Sequence, residues 1–385
     1  MIDFDQVVDR ANTGSTKWNK YKGQDILPFW VADMDFVAPP QIQAALTARI
    51  EHGIFGYSRP SQTLIDAFLD WLESEYKWTV PAEWLVWLPG VVPGFNLACR
   101  AAGSPGDAVM MSVPVYYPFL SAPKNSERSP IYVDKHMVNG RWEMDFEAMG
   151  EFYTKRCKMF LLCNPHNPTG RVYTREELSR LAEFCLANDM LVCSDEIHSG
   201  ILLDTDKSHI PIASLSREIA QQSITLYSPT KVFNIPGLSC AMAVIPDREV
   251  RSRFRNAYAG LISGISPLAL TATETAFTQP GTWINDLTEY LRGNRNRLQA
   301  AVEALPGVHS IPAEATYLAW IDVRELKLKK PGAYFESFGL GLSEGKQFRG
   351  DGYIRFNFGC PRVTLEEGIV RFEKAVLARN AQLEV

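Results

Sequence analysis

Met159-Phe160-Leu161-Leu162-Cys163 runs into Asn164-Pro165-His166-Asn167-Pro168-Thr169-Gly170. A helical stretch over 175–188 follows, and then Leu191-Val192-Cys193-Ser194-Asp195-Glu196-Ile197-His198. Short, continuous apolar runs separated by a helix read as neighbouring parallel strands covered on both faces. The same rhythm extends outward. Strands are expected at 84–88, 108–112, 130–133, 224–227 and 240–245, with a helix over 93–102. These seven strands predict an α/β fold: a large domain, residues 46–284, with a mostly parallel seven-stranded sheet between helices.

The flanks read differently. The first 45 residues form an irregular arm, but Leu27-Pro28-Phe29-Trp30-Val31-Ala32 is too apolar for a free tail. Helices are expected over 41–51 and 61–77, and again over 283–305, 331–338 and 365–379; strands are expected at 315–323 and 353–358. Residues 285–385, completed by the arm 1–45, are expected to form a smaller α+β domain. A chain of 385 residues suits two or three domains at roughly 150 residues each.

Composition narrows the function. Lys and Arg total 39 against 44 Asp and Glu, a net charge of −5, which excludes a generally basic nucleic-acid binder. No apolar run approaches the roughly 18 residues of a membrane span. The acidic start, Met1-Ile2-Asp3-Phe4-Asp5, has no signal-peptide pattern. Seven cysteines with no C-x-x-C pair read as buried thiols of a reducing cytoplasm. No metal is expected, since Cys193, Asp195 and His198 lack a ligand spacing. There is no G-x-S-x-G elbow and no Walker A loop.

In open parallel sheets, ligands sit at the carboxyl ends of the strands. Four strand ends carry chemistry here. Pro89-Gly90-Val91-Val92-Pro93-Gly94 leads into a helix, whose free N–H groups suit an anion. The Asn164–Gly170 turn offers an amide. Asp195 offers an acid, and Ser228-Pro229-Thr230-Lys231 an amine. An anion cup, an amide, an acid and an amine are what pyridoxal phosphate needs. Taken singly, Asp195 also fits a helix cap, Arg355 an edge-strand ion pair, and Tyr57 and Tyr116 core aromatics.

Together the motifs resemble the fold-type I pyridoxal phosphate enzymes of the class I/II aminotransferase family. N-P-x-N-P-T-G (Asn164–Gly170), the strand-end Asp195 and S-x-x-K (Ser228–Lys231) match in order and spacing. Trp30–Phe36, Phe55-Gly56-Tyr57, Pro114-Val115-Tyr116, Ser194–His198 and Lys231–Leu238 further resemble the C–S β-lyase branch, cystathionine β-lyases of the MalY/PatB type. The resemblance implies β-elimination on L-cystathionine or related cysteine S-conjugates, giving pyruvate, ammonia and a thiol. The alternative is an aminotransferase acting on an L-amino acid. It implies Lys231 as Schiff-base lysine and base, Asp195 as partner of the ring nitrogen, and Asn167 and His198 near the ring hydroxyl. Tyr116 would stack on the ring. Val91, Val92 and Ser228 would hold the phosphate, and Arg355 with the Ala32 backbone the substrate carboxylate. Tyr57 would reach the phosphate of a neighbouring subunit, implying a homodimer. Many aminotransferases carry an arginine eight residues after the lysine; this chain has Ser239. The stretches Trp18–Tyr21 and Trp30–Phe36 are expected to line the side-chain pocket. A pyridoxal phosphate-binding regulator is the third reading, disfavoured because the family match starts almost at residue 1.

Overall fold

The structure is a computed structural model that describes residues 2–262 and 264–383; residues 384 and 385, at the end of the expected C-terminal unit, lie outside the described ones. All seven expected strands of the large sheet form, within a residue or two of the expected bounds: β1 (Leu85–Leu88), β2 (Ala108–Val113), β3 (Ser129–Asp134), β4 (Cys157–Cys163), β5 (Leu191–Asp195), β6 (Ser223–Tyr227) and β7 (Ala241–Val244). Their order is β1-β7-β6-β5-β4-β2-β3. The β6-β5-β4-β2-β3 pairings are parallel, and β7 alone runs antiparallel to its neighbours β1 and β6. Strands β2, β5, β6 and β7 are buried at every position. That is why they read as unbroken apolar runs.

Both faces of this sheet are covered. Phe95, Leu97, Ala98 and Phe119 pack with Val109, Leu161, Cys193 and Leu226 on one side. Leu178, Leu181 and Cys185 pack with Met110, Phe160 and Val192 on the other. Local chemistry sets the helix ends. Ser61 accepts from the Leu64 N–H at the start of Gln62–Tyr76, and Thr174 and Glu177 form a reciprocal capping box at the start of Arg175–Ala187.

Two local expectations are corrected. The helix expected from Pro93 spans Val91–Ala101. First-turn amides have no intrahelical partner, so proline fits anywhere in that turn without losing a bond. The sequence reading also passed over a hairpin, His136–Val138 with Arg141–Glu143. Its turn residues Asn139 and Gly140 both have positive φ, 48° and 76°, and Asn-Gly is the strongest short hairpin signal.

The second sheet is built from β8 (His309–Ser310), β9 (Leu318–Asp322), β10 (Ser343–Glu344) and β11 (Tyr353–Asn357), in the order β8-β9-β11-β10 and antiparallel throughout. The arm joins it. Leu27–Pro28 pairs in parallel with Leu340–Gly341. Phe29 stacks on Phe356 at 4.4 Å between ring centroids. One apolar core contains Phe4, Phe29, Met34 and Phe36 of the arm together with Trp283, Leu291, Phe356 and Phe372.

Phe29 is fully buried, so Phe29→Ala is expected to cost about 3–5 kcal/mol. Urea unfolding followed by tryptophan fluorescence checks this. A loss under about 1 kcal/mol would show that the arm does not belong to this core.

Candidate active site

Four neighbouring elements deliver their polar residues to one place. The end of β5 brings Asp195, and the loop after β6 brings Ser228, Thr230 and Lys231. The turn after β4 brings Asn167, and the Gly90–Val92 turn after β1 starts the helix. Together with Tyr116, His198 and Ala32 they line a cavity of about 230 Å³. The expected site residues Lys231, Asp195, Asn167, His198, Tyr116, Val91, Val92, Ser228 and Ala32 therefore converge.

Burial sets the charges in this cavity. Asp195 is 4% exposed, and its Oδ1 accepts from the Ile197 N–H at 3.1 Å. Burial pushes its pKa up to about 7, against the pull of the Ile197 N–H and Lys231. Burial also pushes Lys231 down to about 8, with Arg355 adding to the effect and Asp33 and Asp195 opposing it. His198 falls to about 3, through burial and then the nearby Lys231 and Arg355, so its ring is neutral at physiological pH. Among the described residues its Nδ1 has no partner.

The arm reaches the cavity through Ala32, in the segment Trp30–Phe36. This segment is not a strand; side chains satisfy its backbone. Arg355 donates to the Trp30 carbonyl at 2.6 Å. Asn357 donates to the Val31 and Asp33 carbonyls at 2.6 and 2.7 Å. The Ala32 carbonyl accepts from Lys231 Nζ at 2.5 Å and from the Tyr317 hydroxyl at 2.8 Å. Asn234 accepts from the Met34 N–H and donates to the Met34 and Phe36 carbonyls. From behind, Asp35 takes Lys17 at 2.7 Å, Arg10 at 2.6 Å and the Trp18 indole at 2.9 Å. Burial alone would raise the Asp35 pKa, but Lys17, Trp18 and Arg10 together hold it below the ordinary carboxylate range.

Arg355, an expected site residue, is buried behind this segment and does not itself line the cavity. Besides Trp30 it donates to Asn167 Oδ1 at 3.0 Å, and its guanidinium lies 4.7 Å from the Phe348 ring centroid. Arg355 Nε has no partner among the described residues. Burial lowers its pKa to about 10, which still leaves it charged near neutrality.

Three expectations are revised. Tyr57 does not join the cavity: it is fully exposed, beside exposed Ile54 and Phe55. The Ser228 hydroxyl donates to the Cys240 carbonyl at 2.6 Å and sits 2.8 Å from the Thr230 hydroxyl, so its proton is engaged with the backbone. Of Trp18–Tyr21 and Trp30–Phe36, Ala32 lines the cavity, whereas Trp18 braces Asp35 from behind. The sequence reading missed Lys17, Asn234, Tyr317 and Asn357. Asn357 was findable, since residues two apart on a strand share a face and Arg355 was already singled out. Lys17, with a side chain 0% exposed, carried no such signal.

These residues fit pyridoxal phosphate on their own chemistry. A buried carboxylate with one internal donor suits a protonated ring nitrogen. A buried amine near neutrality suits an aldehyde. Asn167, accepting through Oδ1, keeps Nδ2 as a donor for the ring oxygen. The helix Val91–Ala101 starts at Gly90 with no side-chain cap, which leaves first-turn amides for a phosphate. No cluster of metal-ligating side chains occurs among the described residues.

Comparison with known proteins bears on the same reading. The chain matches the family described as aminotransferase class I and II over residues 25–372. It is 37% identical to the cystathionine beta-lyase PatB of Bacillus subtilis (strain 168), over 97% of this chain and 100% of that one. A crystal structure of OvoB superposes with a TM-score of 0.95 at 42% identity, covering 97% of this chain and 99% of that one. The PLP-bound C–S lyase from Staphylococcus hominis superposes with a TM-score of 0.91 at 30% identity, over 97% of this chain and 99% of that one.

The Asp195 environment makes a prediction for the ligand-free protein. A carboxyl whose pKa rises from 3.8 to about 7 on folding keeps its proton longer in the folded state. Its ionisation therefore removes stability as pH climbs from roughly 4 to 7. Asp195→Asn is expected to melt at a higher temperature than the wild type near pH 8, with a smaller advantage near pH 5. Scanning calorimetry of both proteins checks the trend, and an advantage that shrinks as pH rises would contradict it.

Proposed function

We propose that this chain, which belongs to the aminotransferase class I and II family, is a pyridoxal phosphate-dependent C–S β-lyase. It cleaves L-cystathionine or related cysteine S-conjugates to a thiol, pyruvate and ammonia. The observation that carries the reading is the meeting of Asp195 and Lys231 in one buried cavity, on a chain similar throughout its length to a cystathionine beta-lyase and a PLP-bound C–S lyase.

When bound, the cofactor supplies a cationic conjugated ring that accepts the electron pair left at Cα. The chain's residues do the rest. Lys231 would hold the cofactor, and its amine would serve as the base for the substrate Cα proton. A pKa of about 8 suits an amine that must act as a base near neutral pH. Asp195 would keep the ring nitrogen protonated, each charge offsetting the other's burial. Val91 and Val92 would offer backbone N–H groups to the phosphate, Asn167 and His198 would serve the ring oxygen, and Tyr116 would cover the ring. Arg355 binds the substrate carboxylate, pre-set by Asn167, Trp30 and Phe348. As Lys231 takes the proton, the Cβ–S bond breaks and the thiolate carries away the electron pair. The released enamine takes up water to become pyruvate and ammonia.

The assembly we infer is a homodimer in which Tyr57 completes the phosphate site of the other subunit. The exposure of Ile50, Ile54, Phe55 and Tyr57 supports it. Cysteines that are all buried and free support a reducing, cytoplasmic setting. The shared core of arm and C-terminal residues supports the division into 46–284 and 1–45 with 285–385.

Purified protein loaded with pyridoxal phosphate is expected to release pyruvate from L-cystathionine through many turnovers with no 2-oxo acid added. Pyridoxamine phosphate accumulating in place of pyruvate would mark an aminotransferase instead. Lys231→Ala is expected to abolish turnover. Asp195→Ala leaves a buried cation unpaired at a cost of about 3–5 kcal/mol, so kcat should fall on the order of a hundredfold to several thousandfold. Near-normal kcat in either variant would overturn the assignment.

A further inference from the structure

Glu196 has no part in the chemistry above, yet it is 1% exposed and follows the acid Asp195 directly. Successive strand residues point to opposite faces. With Asp195 turned into the catalytic cavity, Ser194 and Glu196 turn the other way. There Glu196 Oε1 accepts from the Ser194 hydroxyl at 2.9 Å. Its Oε2 accepts from the Tyr227 hydroxyl at 2.5 Å and lies 2.8 Å from His209 Nε2. Its backbone N–H donates to the Leu226 carbonyl at 2.9 Å. Tyr76 packs edge-on against the His209 ring at 5.3 Å.

The partners Tyr76, His209 and Tyr227, with Ser199, line a second cavity of about 460 Å³. Ile197 and Ser228 line both cavities, so the ends of β5 and β6 meet in the wall between them. Residues 195–197 form the β5 side of that wall. The direction of the Asp195 carboxylate rests on the Ile197 N–H, its one hydrogen bond within the wall. Whatever fixes Glu196 therefore fixes the turn on which Asp195 stands.

We propose that the buried set Glu196–His209–Tyr227 is a positioning device that aims Asp195 at the cofactor ring nitrogen from behind the strand end. Three donors serve one carboxylate, so Glu196 is held away from Asp195 and its charge is spread over hydrogen bonds. His209, 13 residues along the chain, is the donor that comes from outside the sheet. The inference rests on the pyridoxal phosphate reading of the site.

The test uses His209→Met, which keeps bulk and removes the donor, and His209→Gln, which returns an N–H near the Nε2 position. Cofactor affinity is read by tryptophan-fluorescence titration of cofactor-free protein with pyridoxal phosphate; kcat and KM are read from pyruvate release. His209→Met is expected to weaken cofactor binding roughly tenfold and to lower kcat by a similar factor with little change in KM, while His209→Gln recovers most of both. Should His209→Met fail to fold, Tyr227→Phe removes one donor at constant shape and is expected to shift both readouts the same way, by less. Wild-type affinity and kcat in His209→Met, or in Tyr227→Phe where that variant stands in, would overturn the positioning role alone. Equal damage in His209→Gln and His209→Met would reduce His209 to packing, and overturn it too. Wild-type protein that binds no pyridoxal phosphate would overturn the cofactor reading and this one with it.

Discussion

A carboxylate taken out of water must lose its charge or find a cation. Asp195 is in that position at the end of β5, and Lys231 is in the complementary one after β6. Each is displaced by burial towards neutrality, one upward and one downward. The protein by itself leaves both partly unsatisfied. A ligand carrying a protonated ring nitrogen and an amine-reactive carbon satisfies both at once. The seven-stranded sheet, buried on both faces, supplies the rigidity that prevents the two side chains from relaxing to water.

The other half of the site depends on an irregular segment. Trp30–Phe36 has no strand partner, so its backbone needs side-chain donors. Arg355 and Asn357 come from β11, Lys231 and Asn234 from the loop after β6, and Tyr317 from the residue before β9. The arm is thus tied to both sheets through residues at and beside the cavity. Asp35, with Lys17, Arg10 and Trp18, closes this segment from behind in a buried ion cluster whose members are costly to separate. Catalytic geometry and the docking of the arm are in this sense one set of interactions.

The anion side of the cavity is built without an arginine. Ser239 lines the cavity where many aminotransferases place one. That leaves the amides at the helix start as the free donors there, since the Ser228 hydroxyl donates to the Cys240 carbonyl and lies 2.8 Å from the Thr230 hydroxyl. Val92, at the helix start, is exposed. Neutral donors and a helix N-terminus hold a phosphate well in a dry cleft, where a helix dipole is weakly screened.

The large sheet was legible in the sequence because strands buried on both faces must be continuously apolar, and because ligands gather where such strands end. Asp195, Lys231, Asn167 and the Gly90 turn were readable for that reason, and the family motifs carried Arg355, Tyr116 and His198. The hairpin at 136–143 was readable from Asn139-Gly140 and was passed over because its strands, one exposed and one half-buried, carry no apolar run. Tertiary structure alone decided the rest. A lysine in an arm reads as solvated, yet Lys17 is buried, because its counter-charge Asp35 lies 18 residues away and meets it only in the folded chain. Glu196 follows Asp195 directly in the chain, yet its carboxyl group meets Ser194, Tyr227 and His209 outside the cavity that Asp195 lines, because strand alternation and a histidine from a distant loop separate the two. Periodicity records which residues leave water; which charges then meet is set by packing between segments that the sequence keeps apart.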